Sequence, residues 1–247
     1  LAGGRGKAVI AVVPMASEEA AETGRDMVAE LDTLGARSFV LLIDRAQAQS
    51  DSAAGTLDSA TGIWFCGGEQ ARLTAILGGS ATLGAMQARY QGGAVVGGTS
   101  AGAAIMSDSM ITGDQTPLND TTGYYGDEYP TIARRRVQVI PGLGFLHSAI
   151  VDQHFIKRER HNRLMSAVLE RPSLIGVGID ESTALEVDPD GLWRVLGESA
   201  VVVYDARKAH ITSDGQSVLG ATEMRVHLLP SGSTFNPQNG RATIAGR

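Results

Sequence analysis

Gly98-Thr99-Ser100-Ala101-Gly102 is the stretch that decides the fold, because it spells G-x-S-x-G between two segments of different pattern. Residues 93–96 are small and apolar and predict a strand, while residues 101–106 predict the start of a helix. A serine on such a sharp strand-to-helix turn is a nucleophile elbow, in which the hydroxyl stands clear of the backbone and the glycines prevent side-chain clashes. The stretch therefore indicates an α/β fold and covalent catalysis by Ser100.

Apolar runs alternate with helical periodicity through the first two thirds of the chain. Strands are predicted at 8–13, 38–43 and 62–66, and helices at about 18–34, 70–77 and 81–90. This order favours a mostly parallel central sheet with helices on both faces. The loops 14–17 and 67–70 follow predicted strands, as does the Ser100 turn. We expect all three at the carboxyl edge of the sheet, where ligands bind in such folds.

The pattern changes in the second half of the chain. Residues 114–136 are rich in Thr, Asn, Asp, Gly and Tyr without any period, and predict an irregular excursion or lid beside the site. From residue 174 onward strands and turns predominate, with a hairpin signal at 188–191. No repeat or linker divides the chain, so we predict a single domain over residues 1–247.

Composition and charge exclude several classes of function. A net charge of −6 argues against nucleic acid as a partner, since phosphate contacts need a surplus of Lys and Arg. No run of apolar residues is long enough to span a bilayer, so we expect no membrane partner. Residues 1–7 lack the apolar core of a signal peptide. The compartment stays open, with a cytoplasmic location favoured over secretion after removal of a signal peptide.

Cofactor motifs are absent from the sequence. Cys66 is the only cysteine and ends an apolar run, so we interpret it as a small buried residue rather than a nucleophile or ligand. No phosphate-binding loop, dinucleotide fingerprint or metal-ligand spacing occurs. We expect neither a metal nor a cofactor.

Ser100 needs a base, and His154 is the strongest of the five histidines because it ends an apolar strand pattern. A histidine base also needs a carboxylate that fixes its tautomer. Glu181 ends another apolar strand pattern, and Asp152 and Asp180 fit the same role, so spacing leaves the three carboxylates open. The other four histidines have patterns typical of structural or exposed positions; they are His147, His161, His210 and His227.

The oxyanion of an acyl-transfer intermediate requires backbone donors. Elbow geometry predicts the amide of Ala101 as one of them, and the loop at Gly67 and Gly68 as the source of a second, with Gly68 preferred.

Five motifs, in order, then carry a resemblance to a known family. They are residues 65–70, 98–103, 141–146, 152–155 with Arg158 and Arg163, and 178–184. Together they resemble the cyanophycinase family of aspartyl-dipeptidase-like serine peptidases. The resemblance implies a class I glutamine-amidotransferase-like, flavodoxin-like fold, with antiparallel hairpins toward the C-terminus. It also implies a first strand that precedes Leu1, and a homodimer.

The resemblance also implies the roles of individual residues. Ser100 would be the nucleophile, His154 the base and Glu181 the orienting carboxylate. Residues around the substrate would be Gln70, Asp152, Gln153, Arg158 and Arg163. An arginine grips a carboxylate by two hydrogen bonds, which fits the last two of these.

The implied reaction is hydrolysis of the aspartate backbone of cyanophycin, multi-L-arginyl-poly-L-aspartate, with release of β-aspartyl-arginine dipeptides. Acidic residues would receive the substrate guanidinium, and the candidates are Asp114, Asp120, Asp127 and Glu128. An aspartyl or isoaspartyl dipeptidase of the same family is the nearest alternative. A non-catalytic binding domain on the same fold is the alternative from a different class.

Overall fold

The computed structural model describes residues 1–115, 131–213 and 215–246. Most of the predicted lid lies outside the described residues, as do the acidic candidates Asp120, Asp127 and Glu128. The described chain forms two compact units. The first unit comprises residues 1–108 and 141–146, and the second comprises residues 109–140 and 147–247. The single domain therefore stays a prediction.

The first unit contains a parallel sheet with strand order β2-β1-β3-β4. Its strands are β1 (Val9–Val13), β2 (Arg37–Val40), β3 (Gly62–Phe65) and β4 (Val95–Gly98). Its helices are α1 (Ala20–Thr33), α2 (Asp51–Gly55), α3 (Gln70–Leu77), α4 (Ala81–Gln91) and α5 (Ala101–Ala104), with a 3₁₀ turn at Gln47–Gln49. The predicted alternation of parallel strands and helices is confirmed here.

Local sequence explains several boundaries in the first unit. The side chain of Ser80 accepts a hydrogen bond from the amide of Leu83 and so caps α4. The predicted bounds of α3 are confirmed, whereas β2 ends at Val40 and not at residue 43. The neighbouring strands β3 and β4 supply the strand ends that carry the loops discussed below.

Within the described residues, the second unit contains the remaining strands and one helix. They are β5 (Ser109–Gln115), β6 (Val137–Pro141), β7 (Ala149–Gln153), α6 (His161–Glu170), β8 (Ile175–Ile179), β9 (Thr183–Val187), β10 (Trp193–Gly197), β11 (Ala200–Asp205), β12 (His210–Ile211), β13 (Ala221–Thr222), β14 (Arg225–Pro230), β15 (Thr234–Asn236) and β16 (Arg241–Thr243). One sheet has the order β14-β11-β8-β7 and another has the order β16-β15-β10-β9. The predicted hairpin at 188–191 is confirmed, since it joins β9 to β10.

The sheet with β7 and β8 is mixed, because β7 and β8 are parallel and β11 and β14 run antiparallel to their neighbours. Helix α6 packs on this sheet through Leu164 and Val168, which are fully buried. A side-chain carbon at Gly176 would lie 2.5 Å from Val168, so this glycine allows the close approach of α6 to β8. Burial of each such apolar side chain contributes roughly 1.5–3 kcal/mol.

The predicted parallel sheet is confirmed for the first unit, and the antiparallel hairpins predicted toward the C-terminus are confirmed in the second. The strands divide into separate sheets, because β8 pairs with the later strand β11 rather than joining the four parallel strands of the first unit. Apolar periodicity predicts a strand but carries no information about its partner.

Candidate active site

The elbow is formed as the sequence predicts. Strand β4 ends at Gly98 and α5 begins at Ala101, and Ser100 between them has φ 54° and ψ −109°. A positive φ is uncommon for a residue with a side chain and is typical of strained functional turns. The first amides of a helix lack an intrahelical acceptor, so the amide of Ala101 suits the predicted oxyanion contact.

Both glycines of the elbow are required by close backbone contacts. A side-chain carbon at Gly98 would lie 2.6 Å from the carbonyl carbon of Gly102, and one at Gly102 would lie 2.2 Å from the carbonyl oxygen of Phe65. Both distances are far shorter than normal contacts, so glycine at position 98 lets the elbow fold closely on itself and glycine at position 102 lets it approach strand β3.

The Gly67–Gly68 loop lies beside the elbow within the first unit. A side-chain carbon at Gly67 would contact Ser100 Cβ at 3.5 Å. Gly68 has φ 137°, and a side-chain carbon there would lie 2.2 Å from the carbonyl oxygen of Ala16. The loop can therefore present backbone amides near the nucleophile, as an oxyanion donor must. Cys66, just before it, is buried, and burial raises the pKa of its thiol to about 11.

A cavity of about 580 Å³ opens next to this loop in the first unit. Its lining residues are Ala16, Ser17, Glu18, Glu19, Gly68, Glu69 and Gln70. The guanidinium of Arg72 pairs with Glu69 at 3.0 Å and with Glu18 at 3.2 Å. Three glutamates and one arginine leave this cavity with an excess of negative charge.

His154 and Glu181 follow neighbouring parallel strands of the second unit. The register pairs Gln153, the last residue of β7, with Ile179, the last residue of β8. The chain therefore leaves β7 at His154 and β8 just before Glu181, at the same edge of this sheet. His154 Nδ1 lies 3.2 Å from Glu181 Oε1. The side chains are 26% and 45% exposed, so water reaches this pair.

Among the three carboxylates that spacing left open, Glu181 is the one with an oxygen within hydrogen-bond distance of the His154 imidazole. A carboxylate accepts a hydrogen bond from Nδ1–H and so favours the tautomer with its lone pair on Nε2, the nitrogen that takes a proton from a nucleophile. Asp152 and Asp180 make other contacts.

Asp152 is paired with Arg163 in the interior of the second unit. The side chains are 1% and 4% exposed, and Arg163 donates through Nε to Asp152 Oδ2 at 2.7 Å and through Nη2 to Oδ1. Asp152 Oδ1 also accepts the backbone amide of Gln153 at 2.9 Å. Their roles as substrate contacts stay predictions.

Arg160 belongs to the same network, and sequence reasoning missed it. Its Nη1 donates to the Gln153 carbonyl at 2.7 Å and to the Gln153 side-chain oxygen, and lies 3.7 Å from Asp152 Oδ1. The only signal was the density of arginines between residues 158 and 163. The helix that carries Arg163 begins at His161, and residues 155–160 form turns.

Asp180 is hydrogen-bonded to the turn that follows His154. Its Oδ1 accepts the backbone amides of Ile156 at 3.1 Å and Lys157 at 3.0 Å, and its Oδ2 accepts the hydroxyl of Ser199 at 2.7 Å. Burial acts to raise the pKa of Asp180, but these hydrogen bonds outweigh burial and lower it below its ordinary value.

Two of the predicted substrate residues differ in exposure. Gln70 is the first residue of α3 and is buried, whereas Arg158 is exposed on the turn that follows His154. The exposed guanidinium is available to solvent-borne anions.

Three of the remaining histidines have the surroundings that their sequence patterns predict. His161 Nδ1 lies 2.8 Å from the hydroxyl of Tyr204, and its ring packs edge-on against Phe155. His227 packs against Phe235, and burial lowers the pKa of His227. His210 is exposed and lies 3.7 Å from Glu223.

A family model described as peptidase family S51 matches residues 1–195. The chain belongs to peptidase family S51. A cyanophycinase of Synechococcus elongatus is 37% identical over 238 residues, covering 93% of this chain and 70% of the relative. A cyanophycinase of Trichormus variabilis is 34% identical over 242 residues, covering 94% of this chain and 76% of the relative. The resemblance found in the motifs is thereby confirmed.

Two solved structures share the fold of this S51 peptidase. A peptidase from an acI-B1 actinobacterium has a TM-score of 0.62 at 23% identity, covering 85% of this chain and 82% of the other. A putative peptidase E of Listeria monocytogenes EGD-e has a TM-score of 0.52 at 17% identity, covering 79% and 88%.

The part of this S51 peptidase that the structure describes contains neither a metal-ligand cluster nor a membrane-spanning helix. No group of three or more His, Cys, Asp or Glu side chains there is arranged to hold a metal ion. Within the same ranges, no helix is both long and apolar enough to cross a membrane.

Proposed function

We propose that this protein hydrolyses the aspartate backbone of cyanophycin and releases β-aspartyl-arginine dipeptides. The observation that carries the proposal is the 37% identity with a cyanophycinase over 93% of the chain. Homologues that share a third or more of their residues over nearly the whole chain share a fold, and the conformation of Ser100 and the contact between His154 and Glu181 support serine chemistry. The dipeptidase alternative has no comparable support.

The proposed mechanism uses a serine triad. Ser100 Oγ attacks the scissile carbonyl carbon while His154 Nε2 accepts the hydroxyl proton. The same nitrogen returns that proton to the leaving amine, and a water molecule then releases the acyl group by the reverse sequence. Glu181 holds the His154 ring and stabilises the imidazolium, and the hydrogen bond of 3.2 Å supports this role.

The proposed oxyanion donors are the backbone amides of Ala101 and Gly68. Support comes from the elbow geometry of Ser100 and from the loop that lies against it. Removal of one such donor typically costs about 10²–10³ in turnover.

We propose that Gln70, Gln153 and Arg158 contact the substrate, with Asp152 and Arg163 as further predicted members of this group. Exposed Arg158 suits a carboxylate of the arginyl unit. The excess of negative charge in the cavity beside Gly68 favours binding of the substrate guanidinium there.

The finer fold assignment and the assembly are also proposals. The order of parallel strands and helices in the first unit is compatible with a class I glutamine-amidotransferase-like fold. We propose a homodimer on the family resemblance.

The test compares purified cyanophycin with β-aspartyl-arginine and aspartyl dipeptides, with products resolved by mass. We expect dipeptide release from the polymer and no cleavage of the dipeptides. The Ser100→Ala variant should fold normally and lose about 10⁶ in turnover, by analogy with other serine triads. Cleavage of dipeptides alone would replace the proposal by the dipeptidase, and full activity of Ser100→Ala would refute the nucleophile.

A further inference from the structure

We propose that Asp180 is a positioning residue that ties the turn after His154 to the strand end before Glu181. It thereby sets the hydrogen bond between the base and its orienting carboxylate. The inference rests on the proposed roles of those two residues in the triad.

The contacts of Asp180 join two separate segments of the second unit. One carboxylate oxygen accepts the amides of Ile156 and Lys157, two and three residues after His154. The other oxygen accepts a hydrogen bond from the hydroxyl of Ser199, the residue that precedes β11. Both carboxylate oxygens of Asp180 therefore accept hydrogen bonds from the protein. The oxygen that lies against His154 Nδ1 belongs to Glu181.

The turn at His154 needs such an anchor, because its backbone conformation is unfavourable by itself. His154 has φ 50°, and Glu159 in the same turn has φ 53°. Two positive φ values within six residues cost free energy that surrounding contacts must supply. The amide of Phe155 donates to the Ile179 carbonyl at 3.2 Å, and the Asp180 carboxylate extends this attachment to the next two amides.

A second feature holds the same turn. A side-chain carbon at Gly178 would lie 2.2 Å from the ring of Phe155, so this glycine allows the ring to pack on β8. Phe155 is fully buried. The residue after the base is thus fixed by packing, and the two residues beyond it by Asp180.

The position of Asp180 in the chain couples this anchor to the orienting group. Glu181 is its immediate neighbour, so a shift of the turn relative to β8 changes the separation of His154 and Glu181 directly. A displacement of about 1 Å in a catalytic group can cost about 10²-fold in rate.

The test uses two substitutions at Asp180 and a matched pair elsewhere. Asp180→Asn keeps an oxygen that accepts the two amides and an NH₂ that bonds the Ser199 oxygen, whereas Asp180→Ala removes every contact. Asp205→Asn and Asp205→Ala are the controls. Asp205 is a carboxylate at the opposite end of the same sheet, and it also bonds a backbone amide and a side chain, both of Arg207.

Two readouts distinguish positioning from general stability and from substrate choice. The first is the rate at which a fluorophosphonate probe labels Ser100, together with kcat and KM on cyanophycin. The second is the proton resonance of the Nδ1–H group of His154, which requires no substrate.

We expect Asp180→Ala to lower kcat and the labelling rate by about 10²-fold with KM unchanged, and to abolish the Nδ1–H resonance. Asp180→Asn should lose less than about tenfold, because its amide oxygen accepts the same bonds. Both Asp205 variants should keep the wild-type labelling rate.

Three results would overturn the inference: an unchanged labelling rate and resonance in Asp180→Ala, equal losses in Asp180→Asn and Asp180→Ala, or no labelling of Ser100 in the wild type. If the probe results are as expected but the polymer is not cleaved, the inference holds and only the proposed substrate fails.

Discussion

At the scale of single residues, Ser100 is held in its strained conformation by neighbours that have no side chains. Its φ of 54° costs roughly 1–3 kcal/mol, which the surrounding contacts must offset. Gly98 allows the elbow to fold closely on itself at Gly102, and Gly102 allows the elbow to pack against the backbone of β3.

Replacement of Gly102 by alanine should therefore disrupt the first unit. The new methyl group would lie 2.2 Å from the Phe65 carbonyl oxygen, so we expect a loss of several kcal/mol in unfolding free energy or failure to fold. Gly84→Ala in α4 is the control, because nothing lies within 4 Å of that site. It should stabilise the protein by about 0.5–1 kcal/mol through helix propensity. Denaturant titration measures both, and equal stability of the two variants would contradict the prediction.

Replacement of Glu181 by glutamine tests the orienting carboxylate. The amide keeps the shape but loses the charge that stabilises the imidazolium, so kcat should fall by between about 10² and 10⁴. The lower end applies if water at this half-exposed side chain replaces part of the lost interaction. Steady-state kinetics on the polymer give the answer. Glu198→Gln, on an exposed residue of the same region, should behave as the wild type.

At the scale of the elements, the register of β7 and β8 brings the candidate base and its carboxylate together. Parallel neighbours end at the same edge, so the residues after Gln153 and Ile179 meet. The sequence predicted that His154 and Glu181 each follow a strand. It did not predict the pairing partner of either strand, because pairing depends on contacts between residues far apart in the chain.

The opposite end of this sheet carries a carboxylate with a purely structural environment. Asp205 bonds Arg207 through both oxygens, and Arg207 Nη1 also donates to the Pro237 carbonyl at 2.5 Å. The arginine lowers the pKa of Asp205. Arg207 therefore fastens the chain near β15 to the end of β11.

A lowered pKa fixes the sign of the pH dependence of stability. Asp205 contributes fully to the free energy of unfolding at pH values above its unfolded-state pKa of about 3.9. This contribution is lost as the pH falls through the lower pKa of the folded state. At neutral pH we expect Asp205→Asn to lose roughly 1.5–3 kcal/mol of unfolding free energy. The difference from the wild type should shrink steadily below pH of about 3.9. Urea titrations across this range measure it, and a difference that grows on acidification would contradict the assigned pair.

At the scale of the whole molecule, the two compact units raise the question of cooperativity. Each unit has a buried reporter: Cys66 in the first and Trp193 in the second. The thiol of Cys66 has a pKa of about 11, so only about 10⁻³ of it is ionised at pH 8 in the folded protein. Unfolding restores an ordinary thiol and speeds alkylation by more than about 100-fold.

If residues 1–247 form the single domain predicted from the sequence, both reporters should change at the same denaturant concentration. Trp64 lies in the first unit, so Trp64→Phe isolates the fluorescence of Trp193. Its indole nitrogen is buried without a partner among the described residues, so the substitution should cost little. Two separated transitions would show that the units unfold independently.

The sequence by itself determined the elbow, the order of strands and helices in the first unit, and the residues able to supply a nucleophile, a base and an orienting carboxylate. These follow from local patterns: apolar periodicity, and glycines where the backbone must turn sharply. Only the tertiary structure decided which carboxylate faces His154. Asp152 forms an ion pair with a buried arginine and Asp180 accepts hydrogen bonds from backbone amides, while Glu181 lies within hydrogen-bond distance of the imidazole. The physical reason is that a carboxylate's role depends on which donors the pairing of distant strands brings to it.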